Sequence, residues 1–222
     1  MIDNTEKIIA LLDEMSSVID IRVDLYMIGG GAMLFMGLKE FTKDIDLVVS
    51  TEREYDTITA VLSSMGFRTD RPSLGMDRVN LSDTRVRGEY RIDLFGGVIC
   101  GHLQLSESMK GRSTKQYESE WLNLYTCSKE DIFLLKSVTE REGDVTDCNR
   151  LIRATEQFDW SYFIDELNEQ MSFGNPVWIT YVLERLIGMD IGSYRPDVYD
   201  AVSQMEKEFM TKWADDFERN KE

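Results

Sequence analysis

Two aspartates separated by one residue, Asp44 and Asp46, are the first side chains in this sequence whose type and spacing could do chemistry. They open the apolar segment 44–49, which has the character of a buried strand. Side chains alternate between the two faces of a strand, so both carboxylates are expected on one face, about 7 Å apart, with Ile45 and Leu47 in the core. This pair of oxygen ligands predicts the beginning of a divalent-metal site.

A third aspartate, Asp93, lies in a second segment with strand character, Glu89 to Phe95. Alternation places it on the face opposite to the branched apolar side chains of that strand. If the two strands are neighbours, Asp93 faces Asp44 and Asp46 and completes a set of oxygen ligands that suits Mg²⁺. The residues alone leave open that Asp93 instead pairs with an arginine such as Arg91 or faces solvent.

The elements that would position these aspartates are indicated by periodicity and by stop signals. A strand ends at Ile28, three glycines follow, and a short helix over Ala32–Met36 ends at Gly37. Amphipathic helices are predicted over Asp3–Ile19 and Glu52–Met65. The remaining predictions for this half are a loop with or without a short strand over Phe67–Asp77, strands over Arg78–Leu81 and Glu89–Phe95, a polar turn over Ser82–Gly88 and a connector over Met109–Glu120.

The second half of the sequence is predicted to be helical. Helices are expected from a capping box at Ser128 to about Arg141, from Asp144 after a break at Gly143, over Trp160–Met171, after an N-cap at Asn175–Pro176, and over Pro196–Phe217. The chain is therefore expected to have an α+β fold, in which a mixed β-sheet flanked by helices is followed by a C-terminal helical bundle. The expected domains are an α/β domain at residues 1–125 and a helical domain at residues 126–222.

Composition limits the classes of partner. The chain has 222 residues and a formal net charge of −16, so broad contact with nucleic-acid phosphates, which needs clustered Lys and Arg, is not expected. Three widely spaced cysteines fit reduced thiols in the cytoplasm rather than disulfides. No apolar run approaches the roughly 18 residues of a membrane span, and the acidic N-terminus does not resemble a signal peptide. The predicted location is cytoplasmic, without a membrane partner.

Other familiar sites fail on spacing. A dinucleotide-binding fingerprint would need its third glycine where Leu34 stands, and the Lys-Ser or Lys-Thr of a P-loop does not follow the glycines. The single histidine, His102, lacks the partners of a zinc site, and no serine or cysteine stands in a nucleophile motif. The three aspartates therefore remain the leading candidates for chemistry.

This order of motifs resembles the nucleotidyltransferase superfamily of DNA polymerase beta. The resemblance rests on a strand, a glycine turn, a helix, an Asp-x-Asp strand and a third aspartate on a later strand, over about Val23 to Gly97. The segments GGGAMLFMG and TKDIDLVV, with KSVTEREGDVTDC from Lys136 to Cys148, are similar to the branch that includes the AbiEii-type toxin nucleotidyltransferases and related small prokaryotic proteins. The resemblance implies a nucleotidyltransferase-type sheet in the first half of the chain.

For the metal, the resemblance implies two Mg²⁺ ions, or Mn²⁺, held by Asp44 and Asp46. Asp93 would complete one metal site and help to activate an acceptor hydroxyl. Two such ions stabilise both the attacking and the leaving oxygens of an in-line displacement, with pyrophosphate leaving. The same three aspartates are thus the implied catalytic and metal-binding residues.

For the nucleotide, the resemblance implies six binding residues: Gly29, Gly30, Gly31, Lys43, Lys136 and Arg141. The glycines would let backbone amides approach a triphosphate, and the basic side chains would neutralise its charge. Many members carry Ser or Thr at the third glycine, so only the backbone amide of Gly31 could serve here. For Lys136, a solvated position on a helix face is an equally open interpretation.

The leading hypothesis is a Mg²⁺-dependent nucleotidyltransferase that moves an NMP from a nucleoside triphosphate to a hydroxyl of an RNA, a protein or a small molecule. A basic patch at Lys110, Arg112 and Lys115 could serve an RNA acceptor. The alternative is a catalytically silent nucleotide-binding or partner-binding module of a toxin–antitoxin-like or regulatory system, such as an antitoxin-like subunit. A third hypothesis is a structural protein with a coincidental Asp-x-Asp. Nucleotide, acceptor and oligomeric state are left open.

Overall fold

The structure is a computed structural model that describes residues 1–70, 83–139, 141–153 and 158–219. The chain divides into two compact units, Met1–Ile132 and Phe133–Glu222. The sequence interpretation placed the boundary after residue 125. The strand predicted over Arg78–Leu81 lies outside the described residues.

The first unit is built on a mixed sheet. Its strands are β1 (Val23–Ile28), β2 (Ile45–Val49), β3 (Arg68–Thr69), β4 (Asp83–Arg87), β5 (Tyr90–Gly96), β8 (Thr114–Glu118) and β9 (Leu122–Thr126), and β6 (Val98–Ile99) pairs with β7 (Leu103–Gln104). The helices are α1 (Thr5–Ser16), α2 (Gly29–Phe35), α3 (Glu52–Ser64) and α4 (Glu107–Arg112). In the described residues the main sheet has seven strands in the order β3-β4-β5-β2-β1-β9-β8.

The central strands of this sheet run in both directions. β2 pairs with β5 in parallel and with β1 antiparallel, and β1 pairs with β9 in parallel. Their inward residues are almost completely buried, as for Leu25, Leu47 and Leu94, each at 1% exposure or less. The strands that carry the predicted aspartates, β2 and β5, are therefore each held in place by a neighbouring strand on either edge.

Local signals explain where the flanking helices begin. The α1 helix is capped by Asn4, whose side chain accepts a hydrogen bond from the backbone amide of Lys7. The α3 helix has a capping box, in which Thr51 and Glu54 bond each other's backbone amides. Such caps satisfy amides that have no partner within the helix, and they set the first residue of each helix.

Two stretches of the first unit differ from the sequence predictions. The predicted turn over Ser82–Gly88 contains strand β4, and the predicted connector over Met109–Glu120 contains the end of α4 and strand β8. Both stretches are polar because their charged side chains are used in ion pairs, as for Arg87 with Glu14 and Lys115 with Glu118. Polarity therefore indicated loops where cross-strand and helix contacts stabilise regular structure.

The second unit is helical. Its elements are α5 (Lys129–Ser137), which contains the boundary between the units, α6 (Glu142–Arg153), α7 (Trp160–Met171), α8 (Ile179–Gly188), the 3₁₀ turn Ile191–Ser193 and α9 (Pro196–Arg219). Four aromatic side chains pack edge-on or tilted at its centre: Phe133, Phe158, Trp160 and Phe163. This cluster supplies the apolar core of the helices.

The helix ends of this unit correct three sequence predictions. The helix that begins at the Ser128–Asp131 capping box ends at Ser137, short of Arg141. Gly143 lies inside the first turn of α6, where a glycine costs little because the first amides have no helical partner. The last correction concerns α8, which begins at Ile179 after Trp178 and not at Asn175–Pro176. Trp178 is completely buried, so tertiary packing sets the position of this helix.

The predicted fold class is confirmed: the chain is α+β, with a mixed sheet flanked by helices and followed by C-terminal helices. Within the described residues, none of the helices has the length and apolar composition needed to cross a membrane.

Candidate functional site

Asp46 and Asp93 lie directly opposite each other in the sheet. They are register partners on the parallel strands β2 and β5. Neighbouring strands are about 4.8 Å apart, so two carboxylates in register on one face share one small volume. Asp93 is 5% exposed, and the hydroxyl of Thr84 on β4 donates a 2.7 Å hydrogen bond to its Oδ1. The fold thus brings together two of the three predicted metal ligands.

The glycines at the start of α2 pack against side chains of this same region. Gly29 has a φ of +63°, and a Cβ there would lie 2.2 Å from Oδ2 of Asp46. A Cβ on Gly30 would lie 2.4 Å from Oγ1 of Thr42. At Gly31 the obstructing atom is Sδ of Met27, at 2.9 Å. Packing against Asp46 and Thr42 therefore favours glycine at positions 29 and 30, and Gly29 also has a positive φ, so these two glycines have a structural role that does not depend on a nucleotide.

Asp44 lies just before β2 and is held from two sides. The N-terminal residue Ile2 forms a two-way backbone bridge with Thr42, at 2.8 and 2.9 Å. The Thr42 hydroxyl then donates a 2.9 Å hydrogen bond to the carbonyl of Asp44. The carboxylate of Asp44 is directed to Arg91, with Oδ1 3.0 Å from Nε. The bridge between Ile2 and Thr42 therefore helps to position the backbone of Asp44, the first predicted metal ligand.

Arg91 is surrounded by carboxylates from three separate segments. Its Nε lies 3.0 Å from Asp44 and 3.9 Å from Asp93, and its Nη1 donates to Asp70, the residue after β3. Burial lowers the pKa of this guanidinium, but the Asp70 hydrogen bond and the charges of Asp93 and Asp44 outweigh burial and raise it. Arg91 is therefore cationic at every ordinary pH. We call Asp44, Asp46, Asp93 and Arg91 the aspartate site.

The donor chemistry of the aspartate site fits a hard divalent cation, whereas its present geometry is not a closed cage. Carboxylate oxygens are the ligands that Mg²⁺ and Mn²⁺ prefer. Across the residues that the structure describes, however, no group of three or more His, Cys, Asp or Glu side chains is arranged to hold a metal ion. The Arg91 guanidinium lies beside Asp44 and Asp93. The pairing with Arg91 that the sequence left open is thus present.

Two lysines flank this region. Lys43, predicted to contact phosphate, is exposed and immediately precedes Asp44. Lys39 lies beside the glycine turn, with its Nζ 3.8 Å from the position that a Gly30 Cβ would take. Lys39 was not predicted as a site residue, since a lysine within a polar turn is ordinarily solvated.

Lys136, the second predicted phosphate ligand, is buried in the helical unit. Its side chain is 11% exposed, and its Nζ lies 2.7 Å from Asp144 and 2.8 Å from Asp147. Burial lowers the pKa of this ammonium group, but the two carboxylates raise it overall. Arg150 lies 3.8 Å from Asp147, so two cations face two carboxylates. We call Lys136, Asp144, Asp147 and Arg150 the lysine cluster. Lys136 is therefore buried and paired with two carboxylates, and the solvated position that the sequence left open is wrong.

Arg141, the third predicted basic residue, is exposed at a pocket of the helical unit. The pocket has a volume of about 270 Å³ and is also lined by Ser137, Thr139, Tyr181 and Arg185. Arg185 donates hydrogen bonds to the carbonyl of Lys136, in the last turn of α5, and to the carbonyl of Thr139, two residues after the helix. Arg185 therefore caps that helix end.

The basic patch predicted near α4 is neutralised by neighbouring glutamates. Lys110 lies 2.7 Å from Glu107, Arg112 lies 3.6 Å from Glu130, and Lys115 lies 3.1 Å from Glu118. Each cation thus has a carboxylate partner. These pairs reduce the positive potential that an RNA backbone would need.

Three residues of the site region were missed by the sequence analysis in these roles: Thr84, Asp70 and Lys39. Thr84 fell in the predicted turn and Asp70 in the predicted loop, where neither has an assigned face. The alternation DTRVR at residues 83–87 is a strand signal that could have found Thr84.

Comparisons with known proteins give little sequence similarity. No protein-family model matches the chain, and no significant match is found among curated proteins. Among solved structures, the chain is similar to one described as the crystal structure of ANT(2″)-Ia in complex with adenylyl-2″-tobramycin, with 15% identity and a TM-score of 0.46. The similarity covers 75% of this chain and 94% of that chain.

Proposed function

We propose that this protein is a Mg²⁺-dependent nucleotidyltransferase that transfers an NMP from a nucleoside triphosphate to a hydroxyl of an RNA, a protein or a small molecule. The observation that carries the proposal is the register of Asp46 and Asp93 on adjacent parallel strands, with Asp44 two residues before Asp46. Carboxylates in this arrangement repel one another unless a cation lies among them. Arg91 is one such cation, and a divalent metal ion would be another.

In this proposal Asp44, Asp46 and Asp93 hold the divalent cation, which when bound neutralises phosphate oxygens and stabilises charge on the entering and leaving oxygens. Asp93 is also the residue proposed to accept the proton of the acceptor hydroxyl. Its Oδ1 already accepts a hydrogen bond from Thr84, which orients the carboxylate. Thr84 is therefore a positioning residue.

The glycine turn is the proposed nucleotide-binding element. Gly29 and Gly30 place backbone beside Asp46 and Thr42 with no side chain in between. A triphosphate held by the aspartates would lie close to this backbone, with Lys39 or Lys43 as a partner for its charge. We retain Gly31, Lys136 and Arg141 as proposed nucleotide contacts on the resemblance alone.

The test is label transfer from α-labelled nucleoside triphosphates with Mg²⁺ and a panel of hydroxyl acceptors. We expect transfer by the natural protein, a loss of at least about a thousandfold in Asp44→Ala, and a comparable loss in Asp93→Asn. Asp83→Asn is the matched control, because Asp83 belongs to β4 and pairs with Arg85 outside the aspartate site. That variant should keep its activity.

Two results would point elsewhere. Mg²⁺-dependent binding of a nucleoside triphosphate, measured by calorimetry, without transfer to any acceptor would favour the silent nucleotide-binding module. Absence of both binding and transfer, in protein that is folded by circular dichroism, would overturn the proposed function.

A further inference from the structure

Arg91 is the one residue of the aspartate site whose charge opposes a bound cation. It lies two residues before Asp93 on β5, so the two side chains share a face of the strand. Its Nε is 3.0 Å from Asp44 and 3.9 Å from Asp93, within the space where those two carboxylates would have to meet on a metal. A divalent cation placed among the same oxygens would therefore be close to a guanidinium and repelled by it.

Arg91 also has a partner outside the predicted ligands. Its Nη1 donates to Asp70, and Asp70 is anchored by its backbone amide, which donates a 2.9 Å hydrogen bond to the carbonyl of Thr84. The Arg91 side chain is 32% exposed, so it is not enclosed by the core on every side. If Arg91 releases Asp44, its charge is still balanced by Asp70.

We propose that Arg91 is a built-in counter-ion of the aspartate site, which holds Asp44 and Asp93 in the absence of metal and moves toward Asp70 when a divalent cation binds. This inference rests on the proposed function, because it assumes that the aspartates hold a cation. Arg91 thereby lowers the affinity of the site for metal, and Asp70 raises it by accepting the displaced guanidinium. The size of these opposite effects, compared with those of a charge pair outside the aspartate site, distinguishes this exchange from long-range charge alone.

The experiment measures Mn²⁺ affinity of the full chain by calorimetry and by the electron paramagnetic resonance of free Mn²⁺. A chain with 41 acidic residues also binds Mn²⁺ nonspecifically, so specific binding is defined as the part lost in Asp46→Asn. We expect Arg91→Gln to bind Mn²⁺ roughly fivefold or more tightly than the natural protein, and Asp70→Asn to bind it more weakly. Arg91→Lys keeps the positive charge but loses the planar guanidinium, so its Mn²⁺ affinity should lie between those of Arg91→Gln and Asp70→Asn.

The matched controls are Arg85→Gln and Asp83→Asn. Arg85 and Asp83 form a 2.6 Å ion pair on β4, and Arg85 also bonds Ser63 of α3, on the other face of the sheet. They change the net charge by the same amounts as the test variants, so they should shift Mn²⁺ affinity little and in proportion to long-range charge alone.

A second readout is thermal unfolding. Metal-free Arg91→Gln should unfold at a lower temperature than the natural protein, and Mn²⁺ should raise its unfolding temperature more than that of the natural protein.

The outcomes separate the two proposals. Equal Mn²⁺ affinity in the natural protein and in Arg91→Gln, or weaker affinity in Arg91→Gln, overturns the counter-ion role but leaves the metal site standing. An absence of Asp46-dependent Mn²⁺ binding in every variant overturns the metal site and the proposed function together.

Discussion

The aspartate site and the lysine cluster both combine aspartates with basic side chains, but they differ in the number of carboxylates for each cation. In the lysine cluster, Lys136 and Arg150 face Asp144 and Asp147, and the side chains of Lys136 and both aspartates are no more than 11% exposed. In the aspartate site, Arg91 faces Asp44, Asp70 and Asp93 and is 32% exposed. A buried, balanced set of charges is what stability requires. An excess of carboxylates over cations is what binding of a further cation requires.

The largest expected effect is the loss of Lys136. Lys136→Met should lower the free energy of unfolding by about 3–5 kcal/mol, because Asp144 and Asp147 would remain buried with only Arg150, 3.8 Å from Asp147, as a cation beside them. Urea unfolding followed by circular dichroism measures it. Lys115→Met is the control, since Lys115 forms an exposed pair with Glu118 that solvent screens, so its loss should cost far less than the loss of Lys136. Equal losses in the two variants would remove the distinction between buried and exposed pairs.

The second-largest effect is expected from Asp→Asn substitutions, which should destabilise the protein more in the lysine cluster than in the aspartate site. Asp144→Asn should lower the free energy of unfolding by about 1–3 kcal/mol, because it removes a buried carboxylate that accepts from Lys136 and Thr139. Asp44→Asn should change it by no more than about 0.5 kcal/mol, because Arg91 keeps Asp70 and Asp93. If Asp44→Asn were the more costly change, the aspartate site would be a structural element like the lysine cluster.

The smallest effect concerns pH. The pKa of Lys136 is raised in the folded state, so its stabilising contribution is complete below the unfolded value of about 10.4 and is lost as the pH rises through the higher folded value. The difference in unfolding free energy between the natural protein and Lys136→Met should therefore be constant from pH 7 to about pH 9.5 and shrink above about pH 10.5. Urea titrations at these pH values test this, and a difference that shrinks below pH 9 would contradict it.

The contrast between the two sites was only partly visible in the sequence. Alternation along a strand is a local property, so the shared face of Asp44 and Asp46 and the strand position of Asp93 could be predicted. Their convergence needed β5 to lie beside β2, which is a non-local pairing that no spacing reveals. The lysine cluster could not be predicted, because it depends on how α6 packs beside α5.

Polar segments were the main source of error in the fold. Strand β4 was taken for a turn because three of its five residues are charged, although Arg85 and Arg87 are used in ion pairs. Strand β9, which lies between β1 and β8, was not predicted, and it carries Asn123 at 1% exposure bonded to Asp24. Buried polar residues with dedicated partners are read as surface residues when the partners are distant in sequence.

The parallel pairing of β2 with β5 also has a kinetic consequence. Parallel neighbours cannot be joined by a tight turn, and here the chain passes through α3, β3 and β4 before β5 reaches β2. Contacts between residues so far apart in the sequence slow the folding of a domain, and the meeting of Asp93 with Asp46 depends on such a contact. Mutual repulsion of these carboxylates is therefore a property of the folded sheet, because the site exists only where β2 and β5 are paired.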